Sequence, residues 1–220
     1  MTLPSVAEMR TIGVPVVHAV TTDEIVSRPD FIDTACAIMR ILGARGALHL
    51  RASRLPDARL LSLAEGLAAA QSLTGAWLIV NDRVDIALVS GARGTQLTSR
   101  SLVTGDARMV APGLAIGASI HDAEEGRLAI AAGADWLVAP RTIPRAATAP
   151  EASRGAGWVP ALARSTSVPI LAIGGVQVEH VAALRESGMQ GVAVIRGIWD
   201  AANAEQAASD YLSAYDHVGV

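Results

Sequence analysis

The chain has 220 residues, 51% of them hydrophobic and 18% charged, with a formal net charge of −3 at pH 7. That composition supplies a sizeable core and excludes a disordered chain. The near-neutral charge, with no long basic run, argues against a nucleic-acid partner and gives no reason to expect a membrane surface.

The single cysteine, Cys36, excludes an internal disulfide and fits a reducing compartment. It reads as a core or helix residue. The opening segment MTLPSVAEMR lacks the apolar core of a signal peptide. No stretch reaches the roughly 18 apolar residues of a membrane span. A cytoplasmic protein is the expectation.

Eight short apolar runs follow one another: VPVVHAV (14–20), GALHLR (46–51), AWLIV (76–80), GTQL (94–97), LAIG (114–117), DWLVA (135–139), PILAIG (169–174) and GVAVI (191–195). Between and after them, apolar residues recur at three- and four-residue spacing over 30–43, 58–74, 83–91, 100–111, 122–133, 155–166, 177–188 and 201–214. Strands alternating with helices imply β-α units and a parallel sheet. Continuous apolar strands imply that both sheet faces are covered. Gly43, Gly75, Gly133 and Gly188 stand where helix C-caps are expected. Eight units in this length predict a single (β/α)8 TIM barrel spanning 1–220. The open doubly wound sheet is the rival. Its dinucleotide-binding form needs GxGxxG after the first strand, and VVHAVTTDEI stands there. The segment 140–156 is the expected long irregular loop, on the face where barrels place their chemistry.

At the end of the seventh run stand Gly174 and Gly175; at the end of the eighth, Ile195-Arg196-Gly197. Loops after strands 7 and 8 of such barrels often bind phosphate through backbone N–H groups, which bare glycine lets approach the anion. Arginine adds a strong phosphate partner. A small phosphate-bearing ligand is therefore expected here. Further polar residues fall at strand ends: His18, His49 and Arg51, Asn81-Asp82-Arg83, Gln96 and Thr98, Ser119 and His121, Arg141 and Thr142. His18 and His121 read most simply as interior histidines, and Asn81-Asp82 as a helix cap. His49 and Arg51, two residues apart, share a strand face. An arginine at a barrel mouth calls for an anion. No HExxH, CxxC or Walker A motif occurs.

Together the stretches LIVNDRVDIAL (78–88), GTQLTSRSL (94–102), IGASIHDAEEG (116–126), AGADWLVA (132–139), VPILAIGGV (168–176) and GVAVIRGIW (191–199) resemble the thiamin phosphate synthase and thiazole tautomerase superfamily, in the family's order. The resemblance implies a (β/α)8 barrel with thiazole phosphate on Gly174, Gly175, Ile195 and Arg196. The strand-2 motif Gln-Leu-Arg-Glu-Lys reads His49-Leu50-Arg51-Ala52-Ser53 here. Asn81 and Ser119 match binding positions, and Asp82 matches the first magnesium aspartate. The second aspartate falls near Arg93. The Thr-x-Thr-Lys loop reads Arg145-Ala146-Ala147-Thr148, and the tautomerase histidine falls at Arg141.

With those cations and one metal ligand replaced, the resemblance is taken to imply tautomerase-like proton transfer on a thiazole carboxylate phosphate. His49 would carry the proton and Arg51 hold the carboxylate. One alternative is the synthase reaction, which joins a pyrimidine diphosphate to thiazole phosphate and would bring Mg²⁺. Another is a non-catalytic sensor of a thiamin-related phosphate. An unrelated sugar-phosphate barrel is the fourth. A homodimer is conceivable, with Trp158, Trp199 and Tyr211 either at a contact or in the helix layer.

Overall fold

The computed structural model describes residues 13–140 and 156–216. Eight strands are all parallel, each paired with the next in sequence, and β8 closes back on β1. In chain order they are β1 (Val17–Val20), β2 (Gly46–Leu50), β3 (Trp77–Asn81), β4 (Gly94–Leu97), β5 (Ala115–Ser119), β6 (Trp136–Pro140), β7 (Ile170–Ile173) and β8 (Gly191–Val194). Each falls within or beside an apolar run, so the expected (β/α)8 barrel is what the chain forms.

Around it lie α1 (Asp23–Val26), α2 (Phe31–Leu42), α3 (Asp57–Thr74), α4 (Val84–Ser90), α5 (Thr104–Val110), α6 (Ala123–Ala131), α7 (Val159–Ser165), α8 (Val181–Glu186), α9 (Arg196–Trp199) and α10 (Ala204–Asp216). The one-turn helices α1 and α9 have too few residues to show a helical period, and periodicity alone does not foresee them. Asp122 starts α6 by accepting from the Glu125 N–H at 2.8 Å. Gly75 ends α3 in the left-handed conformation at φ 79°, where any other residue would be strained.

Strand side chains alternate between two apolar layers. The outward set, with Leu48, Leu50, Leu78, Val80, Ile116 and Leu137, meets the helices. The inward set, with Ala47, Trp77, Ile79, Ala115, Trp136, Val138 and Leu171, fills the barrel. Trp77 and Trp136 lie edge to face at 6.4 Å in the middle of that filling. They fit because neighbouring strands carry small residues: β5 has Gly117 in register with Trp136, and a Cβ there would overlap the Trp136 ring. Truncating one fully buried outward leucine such as Leu48 to alanine would cost about 2–5 kcal/mol.

Trp199 and Tyr211, weighed as dimer contacts, are buried at 4% and 2% exposure, and Trp158 packs against the same core. Their burial belongs to the helix layer. Cys36 lies half-buried on α2, and burial pushes its thiol up from the usual range. Among the described residues, no helix is long and apolar enough to cross a membrane.

Candidate functional site

Inward alternation delivers polar residues to the C-terminal mouth. Position 49 on β2, 81 on β3, 96 on β4 and 119 on β5 follow apolar or small inward residues two positions earlier. His49, Asn81, Gln96 and Ser119 thus line a mouth cavity of about 380 Å³. Arg51, just past the end of β2, lines it too, as do Thr98 and Arg100 from the β4–α5 loop.

Below the mouth, buried polar groups form a chain. His18 Nε2 lies 2.9 Å from the Pro15 carbonyl oxygen. His18 Nδ1 lies 2.7 Å from His49 Nε2, and His49 Nδ1 lies 3.1 Å from the Asn81 amide oxygen. Burial pushes the His49 imidazole down to about 4. Burial, and then the neighbouring His49, hold His18 well below its usual value. Both rings are therefore neutral at pH 7. His18 is the interior histidine the sequence suggested. His121 is not: its side chain is 67% exposed at the mouth rim, and its Nδ1 lies 3.0 Å from Glu125.

A second wall is set from inside. Trp136 Nε1–H donates to Gln96 Oε1 at 2.8 Å, so the Gln96 amide nitrogen faces outward and donates to Ser119 Oγ at 3.1 Å.

Asp82 has φ 63°, the one non-glycine residue with positive φ among those described. It caps no helix: the α4 N-cap is Arg83, without a side-chain cap bond. Instead Asp82 Oδ1 accepts from Thr98 Oγ1 at 2.6 Å and from the Thr98 N–H at 3.1 Å. Ser101 joins this loop by accepting from the same N–H at 2.9 Å. Opposite Asp82, therefore, stand hydroxyls and not a second carboxylate.

Arg93, expected to replace that carboxylate, immediately precedes β4 and lies at the other end of the barrel, stacked on Trp77 at 5.5 Å. In a parallel barrel the residue before a strand lies on the face away from the mouth. Among the described residues, no three His, Cys, Asp or Glu side chains gather as a metal site. One carboxylate, already accepting two hydrogen bonds, does not fit a resident Mg²⁺ held by the protein. Among the described residues, Asp82 has no partner carboxylate with which to form a protein-held metal site.

Beside the mouth a larger cleft, about 850 Å³, is lined by Gly174, Gly175, Ile195 and Arg196, the four residues expected at a phosphate. Gly174 and Gly175 have φ of 107° and 61°, backbone that favours glycine. A Cβ on Gly174 would meet no atom within 4 Å, so this glycine answers to backbone geometry and open space. Tyr211 braces the loop by donating to the Val176 carbonyl at 2.9 Å, and burial pushes its phenol up to about 12. Arg196 opens α9 rather than ending the strand.

Arg28, not foreseen, also lines the cleft. Its guanidinium donates to the Trp199 carbonyl at 2.5 Å and to Asp200 at 2.6 Å. Its partners lie 171 and 172 residues away, so no local signal marks it. Ile173, Ala193 and Ile195 line both cavities, which share that wall. Arg141, Thr142, Arg145, Thr148 and most of the 140–156 loop lie outside the described residues.

The fold and these cavities define a (β/α)8 barrel with a glycine-walled cleft beside a polar mouth. The family model described as thiamine monophosphate synthase matches residues 17–198, and the chain belongs to that family. It is 36% identical over 184 residues to the thiamine-phosphate synthase of Methanoculleus marisnigri, covering 81% of this chain and 85% of that protein. It is 34% identical over 180 residues to that of Anaeromyxobacter dehalogenans, covering 81% and 76%. Among solved structures, the thiamine phosphate pyrophosphorylase from Pyrococcus furiosus superposes with a TM-score of 0.80 at 26% identity, covering 93% of this chain and 97% of that one. A 3-hexulose-6-phosphate synthase at 15% identity and TM-score 0.63 shares the fold alone.

Proposed function

We propose that the chain is a thiamine-phosphate synthase, joining a pyrimidine diphosphate to a thiazole phosphate. The observation that carries this reading is the common wall of Ile173, Ala193 and Ile195 between the two cavities. A reaction between two phosphorylated partners needs two sites that open on each other; proton transfer within one ligand needs only one. The named relatives point the same way, toward the synthase and away from the tautomerase expectation.

In this reading the backbone of Gly174 and Gly175, with Arg196, holds the thiazole phosphate, and the pyrimidine lies in the mouth. The carbon–oxygen bond to diphosphate breaks, the leaving group keeps the electron pair, and a bond forms from that carbon to the thiazole nitrogen. Arg51 and Arg100 spread the charge that collects on the departing diphosphate. Any Mg²⁺ enters with the diphosphate, as part of that substrate. Holding both partners in contact supplies the orientation.

The tautomerase reading depends on His49 as proton carrier. An imidazole pushed down to about 4 and 1% exposed is a weak base at neutral pH, and the mouth exposes little of it to a ligand. The test is incubation with both substrates, with and without Mg²⁺, following diphosphate release and thiamine phosphate formation. Turnover that needs both substrates is expected. Tight binding of thiazole phosphate with no diphosphate release would replace the synthase by a sensor. Proton exchange on the thiazole carboxylate alone would restore the tautomerase.

A further inference from the structure

We propose that the buried His18–His49 pair is a positioning device that turns the Asn81 amide so that its carbonyl oxygen, not its nitrogen, faces the mouth. Asn81 then accepts a hydrogen bond from an N–H donor on the ligand. The identity of that donor, the amino group of the pyrimidine substrate, rests on the synthase reading; the orientation of the amide does not.

The order of donors follows from one end. The Pro15 carbonyl can only accept, so His18 Nε2, 2.9 Å away, carries a hydrogen. In a neutral ring the other nitrogen then has none, and His18 Nδ1 accepts. His49 Nε2, 2.7 Å away, must therefore be the donor, which leaves His49 Nδ1 as an acceptor. The structure records the Asn81 amide oxygen 3.1 Å from that nitrogen, which sets two acceptors face to face; turning the amide over puts its nitrogen there as the donor. The two ends of an amide have the same shape, and the hydrogen-bond order selects between them. The Asn81 oxygen is thus turned to the cavity that the residue lines.

An independent neighbour works alike. Trp136 can only donate, and it holds Gln96 so that Ser119 Oγ accepts from the Gln96 nitrogen. The Ser119 hydrogen is then available to the mouth. The wall offers an acceptor at Asn81 and a donor at Ser119, each set by a ring inside the barrel. That polarity suits a heterocycle edge with an amino group beside a ring nitrogen.

The first measurement is long-range ¹H–¹⁵N NMR of the full chain at pH 7, which reads the tautomer of each histidine directly. Both His18 and His49 are expected as Nε2–H tautomers. A hydrogen on His49 Nδ1, or a charged ring, would overturn the proposal. The second is calorimetric titration of wild type and His18→Phe with pyrimidine diphosphate and, separately, with thiazole phosphate. Without His18 to accept from it, His49 is free to protonate Nδ1 and reverse the amide. Weakening of about tenfold or more for the pyrimidine, with thiazole phosphate unchanged, is expected. Equal loss of both ligands would mean a merely structural role and overturn the proposal. Expected tautomers together with no pyrimidine binding in wild type would leave the amide orientation standing and remove the synthase reading alone.

Discussion

Thr98 holds Asp82 in a left-handed backbone turn, donating to one carboxylate oxygen from its hydroxyl at 2.6 Å and its N–H at 3.1 Å. The pair joins the end of β3 to the loop after β4 and so fixes two sides of the mouth. Asp82→Ala removes both acceptor bonds and puts a residue that disfavours φ 63° in its place. A loss of about 1–3 kcal/mol in unfolding free energy is expected by denaturant titration. Asp82→Asn, which tolerates that backbone and keeps an acceptor oxygen, is expected to lose less. Equal losses would show that the carboxylate's charge, and not its geometry, holds the turn.

The buried histidines make stability depend on pH. His49 titrates at about 4 in the fold, below its ordinary 6.5. Between those values the unfolded chain binds more protons than the folded one, so stability rises with pH through the window and is lost as pH falls below about 6.5. The full excursion is on the order of 3 kcal/mol. His18 adds in the same direction. Urea midpoints taken from pH 7 to pH 4 should fall steeply for the wild type and more gently for His49→Gln. Parallel slopes would mean that the buried ring is not the group responsible.

Gly175 lies at φ 61° on the cleft wall, where valine would be strained and would fill the space in which we propose the thiazole phosphate binds. Gly175→Val should weaken thiazole phosphate binding by more than tenfold in calorimetry. Arg93→Ala, at the far end of the barrel on Trp77, should leave it unchanged. Unchanged affinity in the glycine variant would remove the backbone-cradle argument.

Gly117→Ala should be among the most damaging single-methyl additions. The new Cβ would overlap the Trp136 ring and the Gln96 amide oxygen, neither of which has free room inside the barrel. A cost of about 2–3 kcal/mol is expected from overpacking. The displacement should also disturb Ser119 through Gln96. Thermal unfolding and a near-ultraviolet tryptophan signal would check both effects; a wild-type melting temperature would contradict the packing described.

The sequence by itself determined the barrel. Apolar runs and helical spacing are encoded by near neighbours, and the glycines after helices mark left-handed turns, so all eight strands were legible. The Gly174-Gly175 pair was legible as well, because a strand that stops at two bare residues before a helical pattern needs a backbone reason. So was the inward face of His49, through the two-residue period of β2. The misplacement of Arg93 was avoidable, since a residue just before a parallel strand lies away from the mouth.

Tertiary structure alone decided the rest. His18 and His49 are 31 residues apart, and Arg28 and Asp200 are 172 apart; closing the barrel brings each pair together. Whether Asp82 caps a helix or ties two loops depends on where Thr98 arrives. Whether His49 can carry a proton depends on burial. Those are properties of a closed interior with low dielectric and fixed partners, and a sequence records them only through the fold it makes.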